Sequence, residues 1–211
     1  MKKALILLFV ALLSQAAYAQ RDSVVRHRSD EIRTLANSTR HFGFYGALSF
    51  RNTRFNGEGL MMAGARLGFI ANRSLGIGFE AHGVIPTTRY PDVLPGQQLV
   101  ALGGYGGLNI EAILFSNKAI HLTFPVSAGG GWLGYFEDWN DDFPGYDGDL
   151  VVDDVFWYVE PGAHLEANIS RSLRLYGGVS RRFVQDLHLP NTPEGAFEGM
   201  SYTFGIKIGR F

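Results

Sequence analysis

Apolar and polar residues alternate with a period of two along most of the chain beyond residue 40. Successive side chains of a strand point to opposite faces, so this pattern predicts strands with one apolar face. Near the C-terminal end Tyr202, Phe204, Ile206 and Ile208 share one face, while Thr203, Gly205, Lys207 and Gly209 share the other. Val155, Trp157, Val159, Pro161, Ala163, Leu165, Ala167 and Ile169 oppose Phe156, Tyr158, Glu160, Gly162, His164, Glu166 and Asn168. Eight such segments are readable, at roughly 41–50, 60–71, 75–85, 99–115, 119–134, 155–169, 173–184 and 200–211. Each reaches or nearly reaches the roughly 9–11 residues that a tilted strand needs to cross a bilayer.

The connections alternate in length. Asn72-Arg73-Ser74, Ser116-Asn117-Lys118 and Ser170-Arg171-Ser172 are polar triplets suited to tight turns. Between them fall four long segments, Arg51–Gly59, Pro86–Gln98, Tyr135–Asp154 and Gln185–Gly199. Short turns at one end and long loops at the other predict an antiparallel up-and-down barrel, with both ends of the barrel segment beside the short turns. Pro125 and Pro161 fall inside strands and lack a ladder donor, so bulges are expected there.

The start of the chain has a different character. Lys2 and Lys3 precede an apolar run from Ala4 to Leu13, and Ala17-Tyr18-Ala19 is a small-x-small cleavage site. Residues 1–19 therefore read as a secretory signal peptide, too short in its apolar part to span a bilayer. Removing them moves the formal charge from -1 to -3, because Lys2 and Lys3 leave with the leader. A mildly acidic chain argues against nucleic acid as a partner. The absence of cysteine excludes disulfides, thiolate chemistry and anchoring through a lipidated cysteine. Residues 20–40 are polar and charged and read as a periplasmic segment, in which Ser29 could cap a short helix. No cofactor is implied.

Leader, eight strands, tight turns and a terminal Phe211 together resemble the small outer-membrane β-barrels, with the architecture of the OmpA transmembrane domain and the OmpX-type proteins. The resemblance covers 41–211 and rests on pattern rather than on one motif. It implies an all-β, eight-stranded transmembrane barrel in the outer membrane, with both termini periplasmic. Lipid and lipopolysaccharide would surround it, and the barrel-assembly machinery would insert it as a monomer. One departure stands out: Arg210 takes the lipid-side parity and Phe211 falls out of phase with Ile206 and Ile208. A bulge or an ending at the interface would absorb it. A soluble eight-stranded barrel would place a belt of Leu, Ile, Phe and Trp in water, which disfavours that alternative.

In a membrane barrel the polar face turns inward. It carries Arg66, Arg174, Arg182 and Lys207 against Glu80, Glu111, Glu160 and Glu166. The short turns set a register in which Glu160 faces Arg182, Arg66 faces Glu80, and Glu166 lies diagonal to Arg174. His82, His121, His164, Asn109, Tyr45, Tyr105 and Tyr158 complete the set. Eight strands leave room for side chains and little else, so a filled core of paired charges is expected. A narrow solute channel is the alternative. The three histidines could serve a metal, although their strands are not all neighbours. Phe50, Trp132, Trp157, Phe183 and Tyr202 form an expected aromatic girdle at the outer rim, with Phe42 and Phe69 at the inner one.

The third long loop is acidic and aromatic. Asp138, Asn140 and Asp142 have the 1-3-5 spacing of a calcium loop with Asp149 at the twelfth position, but Phe143 stands where glycine is required. A solvated loop is expected, with calcium as the alternative. Trp139, Phe143 and Tyr146 among the acids could instead contact an external partner. A lipid A-modifying enzyme would need a serine, a histidine and an acid converging near the rim; His188 has Asp186 nearby but no serine. The expected role is therefore structural and surface-interacting, not catalytic.

Overall fold

The computed structural model describes residues 42–91, 93–94, 97–137 and 149–211. The leader expected at 1–19 and the segment expected at 20–40 lie outside them. So do Asp138, Asn140, Asp142, Trp139, Phe143 and Tyr146.

Eight antiparallel strands close into a barrel in chain order. They are β1 (Phe42–Phe55), β2 (Glu58–Ala71), β3 (Leu75–Ile85), β4 (Leu99–Leu114), β5 (Ile120–Glu137), β6 (Leu150–Asn168), β7 (Leu173–Gln185) and β8 (Gly199–Arg210). The seam pairs β1 with β8 from Phe44 opposite Arg210 to Asn52 opposite Tyr202. Closure leaves no sheet edge, so every strand finds backbone partners on both sides.

Burial follows the alternation. Phe44, Leu48, Phe50, Leu67, Phe69, Phe79, Val155, Trp157, Phe204 and Ile208 all stand exposed on the outer wall. Arg51, Arg66, Glu80, Glu111, Glu160, Glu166, Arg182 and Lys207 are buried inside. This inverts the arrangement of a soluble protein. It is stable only where hydrocarbon surrounds the wall, so the barrel is a membrane-spanning one.

The strand ends at the short turns lie close to their expected positions, and so do the loop-end termini of β3, β4, β7 and β8, whereas β1, β2, β5 and β6 run on at the loop end. The segment 51–59, expected as a long loop, is instead a tight hairpin. β1 continues to Phe55, β2 starts at Glu58, and Asn56 and Gly57 turn between them with φ of 49° and 85°. Two positive φ values in a row are the signature of the hairpin turn whose twist matches the strands, and asparagine followed by glycine tolerates them best. β5 and β6 likewise extend beyond expectation, with Phe136 opposite Leu150. Phe50 consequently lies five residues below the end of β1 rather than at its rim.

Neither proline makes a bulge. The β5–β6 register is the same before and after Pro125, and the β6–β7 register the same before and after Pro161. Pro125 keeps Glu111 as its partner on β4, and the pairing lapses only toward β6. Pro161 keeps Val126 on β5, and the lapse is toward β7. Each ring therefore removes pairing on one side, and the other side holds the register. The one shift between β5 and β6 comes later, between Tyr135 and Phe136.

The terminal departure is resolved without a bulge as well. β8 stays in register through Arg210, whose side chain is exposed on the outer wall. Phe211 turns to the inner side, where the Arg174 guanidinium lies 3.7 Å from its ring centroid.

Candidate functional site

The inward faces of β1 to β8 converge on a lumen with three storeys. At the loop end, two connections fold back over the barrel mouth. Residues 86–98 bring Tyr90 and Val93, and residues 186–198 bring Leu187, Leu189 and Phe197. These meet Phe55, Leu60, Met62, Leu99, Leu133, Tyr135 and Phe156 from the strand ends in one buried apolar cluster. Phe55 sits at its centre, with ring centroids of Tyr90, Tyr135 and Phe197 at 5.5, 5.6 and 5.8 Å. Polar ties fix the plug: Asn56 N–H donates to the Ala196 carbonyl at 3.0 Å, and Asn191 Nδ2 to the Val93 carbonyl at 2.8 Å. Burial raises the pKa of the Tyr90 phenol, with Tyr135 and Glu58 adding to the shift, so it stays neutral.

Beneath the plug lies a cluster built on Glu160. Arg51 Nη1 lies 2.8 Å from its Oε1, and the Tyr105 hydroxyl donates to Oε2 at 3.1 Å. Ser180 Oγ also donates to Oε1. Arg182, the residue expected to face Glu160, approaches it at 3.7 Å. Its shorter bonds run to the Tyr105 hydroxyl at 2.7 Å, Thr53 Oγ1 at 3.0 Å and the Phe197 carbonyl at 3.0 Å. The Phe197 ring lies 3.6 Å from the Arg182 guanidinium. One side chain thus joins the ionic cluster to the apolar plug.

The third cluster occupies the half nearer the short turns. Lys207 Nζ donates to both oxygens of Glu111 at 2.8 and 2.9 Å, and to Glu166 Oε1. Glu166 is also met by His121 Nε2 at 3.1 Å and by Arg174 Nη1 at 3.4 Å. Arg66 grips Glu80 through Nε at 3.0 Å and Nη2 at 2.7 Å, and its Nη1 lies 3.9 Å from Glu111. Tyr45, Tyr176, Ile70, Ile113 and Phe211 pack around this cluster on the turn side.

The inward charges named from sequence therefore fall into two separate networks. Arg51 is a further inward cation, absent from the expected set because it falls in the segment expected as a loop; Asn56-Gly57 is the sequence signal that extends β1 to include it. The buried hydroxyls of Thr53, Ser180, Ser201 and Thr203 join the inner face too, and small polar residues on a strand carry no distinctive pattern in sequence. The histidines do not assemble: His82 stacks near Tyr105, His164 near Tyr176, and His121 serves Glu166. Among the described residues no three potential ligands converge as a metal site. Asp149, from the calcium alternative, is exposed.

On the outer wall Phe50, Trp157 and Tyr202 are exposed, while Trp132 and Phe183 are half-buried, against Phe136 and Arg181. At the loop-end rim His188 Nδ1 lies 3.8 Å from Asp154, not Asp186.

No protein-family model matches the chain, and no curated protein matches it in sequence. Solved structures do match in shape. Neisserial surface protein A aligns with a TM-score of 0.50 and 9% identity, over 79% of this chain and 96% of that one. The chain has the fold of the small outer-membrane barrels. Ail of Yersinia pestis aligns at 0.48 and 10% identity, over 80% and 97%. A major outer membrane protein of Thermus thermophilus aligns at 0.48 and 8%, over 79% and 99%.

Proposed function

We propose that this chain is an outer-membrane barrel with a structural and surface-interacting role, its lumen a sealed core rather than a conduit. The observation that carries the reading is the lumen itself. Its charges are spent on one another, and the apolar plug covers them at the loop end. A solute crossing it would have to part Lys207 from Glu111 and Glu166, and leaving a buried charge without its partner costs roughly 3–5 kcal/mol. In this reading 1–19 is the exported leader and 20–40 lies in the periplasm. The short turns face the periplasm, and the long connections meet the outside. Lipid and lipopolysaccharide contact the apolar wall, and the assembly machinery handles β8. The acidic, aromatic third loop is the contact surface for an external partner.

Purified protein in planar bilayers tests the sealed lumen: no reproducible conductance is expected, and discrete single-channel steps would overturn it in favour of the narrow channel. Deleting residues 138–148 tests the contact role. The reading expects altered envelope or binding behaviour while the barrel still folds. Lipid A mass spectra with and without the gene should be identical; a changed acyl pattern would restore the enzyme alternative.

A further inference from the structure

The two ends of the barrel differ in surface charge. At the loop end Glu58, Glu137, Asp149, Asp153, Asp154, Asp186, Glu194 and Glu198 outnumber Arg54, Arg89 and Arg181. At the turn end stand Arg73, Lys118, Arg171 and Arg210, and among the described residues no exposed Asp or Glu side chain accompanies them. The two carboxylates nearest that end, Glu111 and Glu166, are buried and engaged by Lys207.

Within this basic end is a basin of about 470 Å³. It is lined by Arg73 from the β2–β3 turn, Ser116 from the β4–β5 turn, Asn168, Ser170, Arg171 and Arg174 from the β6–β7 hairpin, and Phe211. Arg174 is 5% exposed, and its Nε has no hydrogen-bond partner. The guanidinium rests on the Phe211 ring and donates to Glu166 through Nη1 alone, at 3.4 Å. A buried N–H donor without an acceptor is costly, so this one is set up for a ligand that supplies an oxygen.

The surroundings are pre-organised. Ser170 Oγ accepts from the backbone N–H of Ser172 at 3.2 Å and of Leu173 at 3.1 Å, which fixes the turn that carries Arg171. Asn168 Nδ2 donates to the Lys118 carbonyl at 2.8 Å and ties that turn to the β4–β5 connection. Arg73 sits at φ 57° at the tip of its own turn. Guanidinium groups present paired donors that match phosphate oxygens, and the exposed Arg73 and Arg171 bring two such groups to the basin beside the buried Arg174.

We propose that the turn-end basin binds a phosphate-class oxyanion, carried either by a lipid headgroup at the membrane boundary or by a soluble phosphate. Arg171 and Arg73 supply the exposed charge, Arg174 Nε the buried donor, and the Ser116 hydroxyl a neutral one.

The test uses the full chain and follows the Arg174 Nε resonance by NMR at constant ionic strength. In maltoside micelles, which carry no phosphate, titration with inorganic phosphate should shift that resonance saturably. Arg171→Gln and Arg73→Gln should each weaken the midpoint roughly tenfold, the scale of one charge-assisted hydrogen bond. Both residues are exposed on turns, so unfolding midpoints should stay unchanged. Lys118→Gln, outside the lining, should leave the titration as it was. A second set, in nanodiscs containing phosphatidylglycerol, separates the sources. If a headgroup is the ligand, the resonance starts near its saturated position; if soluble phosphate is, the titration is unaltered. No saturable shift in either set overturns the proposal, as does a midpoint indifferent to Arg171→Gln and Arg73→Gln. Neither result bears on whether the lumen conducts.

Discussion

The two halves of the lumen are filled by different physics. The loop half is filled by apolar burial: Phe55, Tyr135, Phe156 and Phe197 pack together, with the Phe197 ring against Arg182 of the ionic layer beneath. The turn half is held mainly by charge, with Lys207 between two glutamates and Arg66 and Arg174 flanking them. Apolar packing loses stability in proportion to the volume removed. An ion cluster fails abruptly when one member goes, because those remaining cannot be solvated. The loop half should therefore tolerate substitution gradually and the turn half should not.

The most direct challenge to this contrast is Lys207→Met. It leaves Glu111 and Glu166 without their shared cation, and a loss of about 3–5 kcal/mol is expected in urea unfolding of the lipid-embedded protein. Adding Glu111→Gln should restore part of it. If Lys207→Met alone is harmless, the turn half is not held by charge.

In the loop half, Phe197→Ala should cost about 3 kcal/mol, the low end for a buried phenylalanine. Hydrogen exchange should locate the loosening in 186–198 and near Asn56, leaving β8 protected. Faster exchange throughout the barrel would mean that the halves are not independent. A smaller effect, about 1–2 kcal/mol, is expected for Asn56→Ala with Gly57→Ala, since alanine is strained at positive φ. Thermal unfolding would read it. The smallest is Phe211→Ala. Its ring contact with Arg174 is worth on the order of 0.5–1 kcal/mol, so the midpoint should move little. A large fall would place the terminal ring among the principal supports of the turn half.

The barrel was legible because its evidence is periodic. Parity turns Arg66 and Glu80 inward, the short turn between β2 and β3 sets them opposite each other, and the two meet at 2.7 Å. Arg51 is harder to place, because the signal that puts it on a strand, Asn56-Gly57, is only two residues long inside a polar segment with the character of a loop. The prolines misled for a subtler reason. Proline lacks one donor, but a strand inside a barrel has two neighbours, and the intact partner holds the register. The plug could not be read at all. Phe197, Leu187 and Tyr90 lie outside any strand, and nothing in a loop sequence says that it folds back over the lumen. Nor does parity reveal that Glu160 takes Arg51 as its nearer partner, since that choice depends on where Tyr105 and Phe197 steer Arg182.

The β1–β8 seam also bears on assembly. Lys207 belongs to β8, the strand made last, whereas Glu111 and Glu166 arrive earlier on β4 and β6. Until β8 docks against β1, a half-built wall carries both carboxylates with only the longer contacts of Arg66 and Arg174 to offset them. Zipping the cylinder therefore completes the balance of its interior, which gives an incompletely inserted chain an electrostatic reason to finish.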